Sequence, residues 1–166
     1  MAMSTGSRAA IVILRALSFI LLLISLIVLT TNTETLYVAF DTIKIHFNDI
    51  YAYRYMISAI VIGFVYSVIQ LVLSVCHALK GHGHRGDGGL RFDFYGDSII
   101  AYLLATGAAA GFGVTKDLKT AYELAGIDLG NKFYDQATAS ASVLLLAFFC
   151  TAILSFIAAN GLPKYV

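Results

Sequence analysis

The chain has 166 residues, enough for one compact domain, and carries a formal net charge of +1. Its residues are 59% hydrophobic and 13% charged, against roughly 45–50% and 25% in soluble domains, so an ordinary soluble fold is excluded. The balanced charge leaves no basic stripe to neutralise phosphates, which argues against nucleic acid as a partner.

Four apolar runs are long enough to cross a bilayer core of roughly 30 Å, which takes about 20 helical residues. Hydrocarbon offers no partner to an unpaired backbone amide, so each run is expected to be helical. The first spans 9–29 and is interrupted only by Arg15. Its basic flank suits a signal peptide, but Leu29-Thr30-Thr31-Asn32-Thr33 is a poor cleavage site, so the run is expected to remain as a helix. The second, 52–79, is long enough to tilt, and the third and fourth cover 92–114 and 137–159. The expected fold is an all-α four-helix transmembrane bundle, a single membrane domain over 1–166.

The connections differ in character. In the first, Ile43-Lys-Ile-His-Phe alternates apolar and polar as a half-covered strand does, so a small extracellular hairpin is compatible with it. The middle loop is glycine-rich, and its His82 and His84 read as solvated rather than as metal ligands. The last connection continues the third helix in part, with Leu118, Tyr122 and Leu124-Ala125 on an apolar side and Gly126 and Gly130 marking the turn. Lys80, Arg85 and Arg91 crowd the short middle loop, which places that loop and both termini in the cytoplasm. The Arg-Gly-Asp triplet at Arg85–Asp87 then lies inside the cell, away from any adhesion receptor.

The polar residues within the runs are the informative ones. A charge deep in a bilayer costs several kcal/mol and normally faces a partner or a cavity. Arg15 and Asp97 lie at similar depths on two helices that run the same way, as an intramembrane ion pair requires. The competing reading has Arg15 snorkelling to lipid phosphates and Asp97 bonded to a neighbouring serine or backbone group. Gln70 and His77 are candidates for the same polar layer, and Arg54 with Asp135 for a second pair at the outer surface. Gly63 with Ser67, and Gly107 with Gly111, form small-residue faces that pack helices closely, within one chain or between copies. Cys76 and Cys150 read as small core residues, with S-palmitoylation the alternative for Cys76. There is no nucleophile motif, phosphate loop or metal-spaced cluster, so no catalytic, cofactor-binding or metal-binding residue is assigned and no enzyme activity is expected.

Arg15 in the first helix stands with AYRYMISAIVIGFVYSVIQ at 52–70, FYGDSIIAYLL at 94–104 and FYDQATASASVLL at 133–145. Together these resemble the plant Casparian strip membrane domain protein-like (CASP-like) family over nearly the whole chain. The resemblance implies a plasma-membrane protein distantly similar to the MARVEL fold, with cytoplasmic termini. It also implies self-association and mixed association with related four-helix proteins. The family's hallmark intramembrane arginine and aspartate match Arg15 and Asp97. Members that build Casparian strips are scaffolds recruiting secreted wall-modifying enzymes. This chain lacks their loop cysteines and carries TNTETLYVAFDTIKIHF in place of their first-loop signature, so a CASP-like paralogue is the better match. The expected function is a non-enzymatic membrane scaffold. The alternative is a small channel or transporter subunit that uses Arg15 and Asp97 as functional charges.

Overall fold

The computed structural model describes residues 5–38, 41–46, 49–79, 87–125 and 131–161. In chain order these form α1 (Thr5–Thr30), β1 (Thr33–Val38), β2 (Asp41–His46), α2 (Tyr51–Leu79), α3 (Asp87–Leu124) and α4 (Asn131–Gly161). All four helices carry a stretch long and apolar enough to span a membrane. At 1.5 Å per residue the 38 residues of α3 reach about 57 Å, well beyond the hydrocarbon they cross.

Both α3 and α4 are longer than the 92–114 and 137–159 expected from hydropathy. Hydropathy marks where lipid begins, whereas a helix continues into water wherever its next turns can pack. Leu118 and Tyr122 do pack, lying half-buried against the core, while Leu124 is 85% exposed and takes no part. The turn expected at Gly126 and Gly130 and the loop histidines His82 and His84 lie outside the described residues.

The end of α1 is finished by its own threonines. The Thr30 hydroxyl donates to the Leu26 carbonyl at 2.8 Å and that of Thr31 to the Ile27 carbonyl at 2.8 Å, relieving last-turn acceptors. Beyond them β1 and β2 pair antiparallel with Leu36 opposite Ile43 and Val38 opposite Asp41, a two-stranded hairpin in the first connection.

The helices stand in a square in which α1 packs on α2 and α4, and α3 packs on α2 and α4. Two diagonals remain, α1 to α3 and α2 to α4. At mid-height each helix contributes a fully buried aliphatic side chain, Leu22, Ile60, Leu104 and Leu144. Toward the hairpin end, Tyr53 and Phe133 meet edge to face at a centroid distance of 6.1 Å, with Met56 and Leu29 buried beside them. Hydroxyls bind the neighbours. Ser25 and Ser140 each donate to the other's carbonyl, at 3.0 and 2.9 Å, joining α1 to α4. Tyr53 meets Thr115 at 2.8 Å, joining α2 to α3.

The glycines set the spacing. A Cβ on Gly107 would lie 2.9 Å from the Ala59 Cβ, and one on Gly111 would lie 2.6 Å from the Met56 Sδ and 3.2 Å from the Ala141 Cβ. A Cβ on Gly63 would strike Leu104 at 2.8 Å, and Ser67 one turn on is also buried. These small faces therefore serve contacts within the chain, the first of the two uses open to them. Gly113 looks into open space. Gly107→Val is expected to cost about 1–3 kcal/mol through overpacking. Gly113→Ala is expected to leave stability unchanged or raise it by up to about 1 kcal/mol through helix propensity. Thermal unfolding of the two variants in detergent checks the contrast.

Candidate functional site: a buried polar ring around Arg15

Arg15 sits three turns into α1 and is only 4% exposed. An arginine there must find acceptors inside the protein, since hydrocarbon supplies none. It finds them across the diagonal. Its Nη1 donates to Asp97 Oδ1 at 3.2 Å and its Nη2 to Asp97 Oδ2 at 3.0 Å, a two-pronged contact to a fully buried carboxylate. The long side chain thus bridges α1 and α3, which are not packing neighbours.

Helix α2 closes the arrangement. The Tyr66 hydroxyl donates to Asp97 Oδ1 at 2.8 Å. One turn later, Gln70 Nε2 donates to the Tyr66 oxygen at 2.9 Å and to Asp93 Oδ1 at 3.2 Å. Asp93 in turn lies one turn before Asp97 on α3, with Oδ1 at 4.0 Å from Arg15 Nη2. Five side chains from three helices therefore form a ring: Arg15, Asp97, Tyr66, Gln70 and Asp93. Both α2 and α3 place their members at four-residue spacing, which keeps them on one helix face. Gly96 makes the approach possible, because a Cβ there would stand 2.5 Å from the Tyr66 hydroxyl. Next to Asp97 on α3, Ser98 shares a hydrogen bond of 2.7 Å with Ser155 that holds α4 at the same level.

The ring lies at the end of the bundle opposite the hairpin. It fastens helices whose apolar surfaces alone would not fix their rotation, and it does so with charge-assisted bonds in a low-dielectric setting. Among the described residues there is no group of three or more His, Cys, Asp or Glu side chains able to hold a metal ion.

The other residues singled out from sequence are distributed differently. Gln70 belongs to the ring, whereas His77 is exposed and bonds the Leu73 carbonyl of its own helix at 2.7 Å. Arg54 lies over the Tyr51 ring, 5.5 Å from its centroid, and among the described residues no ion pair joins it to Asp135. The reason is positional: α2 and α4 are diagonal, and both side chains are exposed, so solvation competes with any pairing. Cys150 is buried but Cys76 is exposed, a correction to its reading as a core residue. Asp93, Tyr66 and Gly96 were not anticipated. The four-residue spacings of Asp93 with Asp97 and of Tyr66 with Gln70 were the available signal.

The profile of the Casparian strip membrane protein domain matches residues 4–150, which include every member of the ring. The chain belongs to this family. It is 49% identical to CASP-like protein 4D1 of Populus trichocarpa over 162 residues, covering 96% of this chain and 90% of that protein. It is 49% identical to CASP-like protein 4D1 of Ricinus communis, covering 98% and 96% of the two chains. With CASP-like protein 4D2 of Arabidopsis thaliana it shares 45% identity, covering 95% and 91%. No solved structure matches the chain. Family membership and the four spans make it a multi-pass membrane protein, and the CASP-like names of its relatives agree with the resemblance carried by its second, third and fourth helices.

Removing one partner of a buried pair leaves the other charge stranded, at a cost of about 3–5 kcal/mol. Arg15→Leu and Asp97→Leu are each expected to lower stability and surface delivery on that scale, and the double variant to lose less than the sum. Asp93 adds a condition that the ion pair alone would not impose. Without Arg15 it remains a buried carboxylate, so adding Asp93→Asn to the double variant is expected to recover further stability. Thermal unfolding and surface abundance of the set check both claims, and strictly additive losses would contradict them.

Proposed function

We propose that the protein is a non-enzymatic plasma-membrane scaffold that self-associates, associates with related four-helix proteins and organises a membrane patch. The observation that carries this reading is the separation of the polar groups by the apolar layer of Leu22, Ile60, Leu104 and Leu144, each fully buried. On one side of that layer the Arg15 ring is committed to bonds among helices, and on the other Tyr53 and Thr115 are bonded to each other. A channel or transporter subunit needs a polar path or a hinge through this level, and a sealed layer favours bracing over conduction. Membership in the Casparian strip membrane protein domain family supports the same reading. Secreted wall-modifying enzymes are the corresponding recruits, engaged through the hairpin side, and both termini face the cytoplasm.

With Gly107 and Gly111 turned inward, self-association falls to outward-facing groups on α3. Tyr102 is 75% exposed about two turns beyond the start of the ring, and beside it the Tyr55 and Thr106 hydroxyls meet at 2.8 Å. A hydroxyl facing hydrocarbon gains a partner when a second helix arrives, which is a driving force for helix association in lipid. Differently tagged copies are expected to co-purify from mild detergent, and Tyr102→Leu to reduce the yield several-fold while the monomer stays folded. Reconstituted protein is expected to conduct no solute. Copies that never co-purify, or a flux abolished by Asp97→Asn, would favour the transport reading instead.

Topology has its own measurement. On a background lacking Cys76 and Cys150, a cysteine at Gly83 is expected to resist impermeant reagents in intact cells. Cysteines at Thr42 and Asp128 are expected to react. Labelling at Gly83 would reverse the orientation.

A further inference from the structure

A cavity of about 30 Å³ lies between α1, α3 and α4, lined by Ile11, Arg15, Leu90, Asp93, Leu154, Ile157 and Ala158. Five of these side chains are apolar, and the two polar ones are ring members. The cavity sits about one turn inside the helix ends of α3 and α4, on the side of the bundle that holds the ring. Two further observations concern its two polar lining residues. Arg15 Nε is buried with no hydrogen-bond partner in the protein, although both terminal nitrogens of the guanidinium are bonded to Asp97. The Arg15 Nη2 to Asp93 Oδ1 separation of 4.0 Å is too long for a direct hydrogen bond.

We infer that this cavity is a binding site for ordered water, one molecule of which accepts from Arg15 Nε, donates to the Asp93 carboxylate and so closes the ring. The chemistry of the walls selects the ligand. An anion would meet the Asp93 carboxylate and a cation the Arg15 guanidinium, since both residues line the cavity. A neutral molecule that both accepts and donates satisfies each wall. The volume of about 30 Å³ is ample for water, one molecule of which needs roughly 10–15 Å³ and at least two polar partners. A polar contact stretched beyond 3.5 Å is the usual mark of a bridging water. Leaving Nε unpaired would impose the desolvation cost of a buried charged donor, and a water bound there removes it. The consequence is that the hydrophobic wall is part of the polar device: Leu154, Ile157 and Ala158 on α4 hold the water against the other two helices. In this way α4, which contributes no member of the ring, reports its position to it.

The test uses the full chain in lipid nanodiscs with Arg15 side-chain nitrogens labelled. Water-edited nuclear magnetic resonance is expected to show magnetisation passing from water to the Arg15 Nε proton. Transfer from acyl-chain protons in its place would mean that lipid fills the cleft, and transfer from neither would mean that it is dry; either result overturns the inference. A substitution gives an independent sign. Ala158→Val extends the apolar wall into the cavity and displaces a water from its bonds, so the unfolding midpoint is expected to fall by about 3 °C or more, with the Nε water signal lost. In a dry apolar cavity the same methyl groups would fill space and raise the midpoint. An unchanged or raised midpoint therefore also counts against the water.

Discussion

The structure depends on one constraint: a guanidinium carried into hydrocarbon on α1 must be satisfied entirely by the protein. Arg15 meets it by reaching across the bundle to Asp97 rather than to an adjacent helix. A contact between diagonal helices fixes more than a contact between neighbours, because α2 and α4 must leave the interior open for it and then seal around it. Tyr66 and Gln70 complete the acceptor and donor count from α2. Asp97 accepts from both sides, so none of α1, α2 and α3 can rotate without breaking a bond to a charged group.

Close approach of the backbones makes that reach possible. Gly96 admits the Tyr66 ring against α3, and Gly107 and Gly111 let α3 settle on α2 and α4 farther along. Between membrane helices the hydrophobic effect gives little net drive, because lipid tails are as apolar as the core. Packing and hydrogen bonding must supply the difference. The reciprocal Ser25 and Ser140 bonds and the Tyr53 to Thr115 bond show the same logic on other seams. Each pairs two hydroxyls that would otherwise face hydrocarbon. The bundle is thus a set of short polar fastenings spaced along an apolar frame.

That division of labour bears on function. The Arg15 ring on one side of the apolar layer and the Ser25–Ser140 and Tyr53–Thr115 bonds on the other fasten the helices to one another, and a rigid, lipid-clad unit suits the proposed assembling role. The charges at Arg15 and Asp97 are absorbed by structure, and the proposed partners would meet the outward helix faces and the hairpin side.

Hydropathy determined the four spans on its own, because crossing hydrocarbon demands about 20 apolar residues in a helix whatever the packing. Arg15 and Asp97 also stood out unaided, since a charge inside such a run has few physical alternatives, and counting rise per residue put them at matching depth. The alternation at 43–47 was enough to suggest the strand now seen as β2. What only the tertiary structure decided was the rotation of each helix. In a soluble bundle the apolar stripe marks the inward face, but here the lipid-facing and core-facing sides are both apolar, so the sequence pattern carries little rotational information. Rotation is what turned Gly107 and Gly111 inward and left Cys76 exposed, while the order of the helices around the bundle put Arg54 and Asp135 on opposite corners. It is also what brought Asp93 and Tyr66 to Arg15, because only a specific facing of three helices puts five polar side chains into one ring.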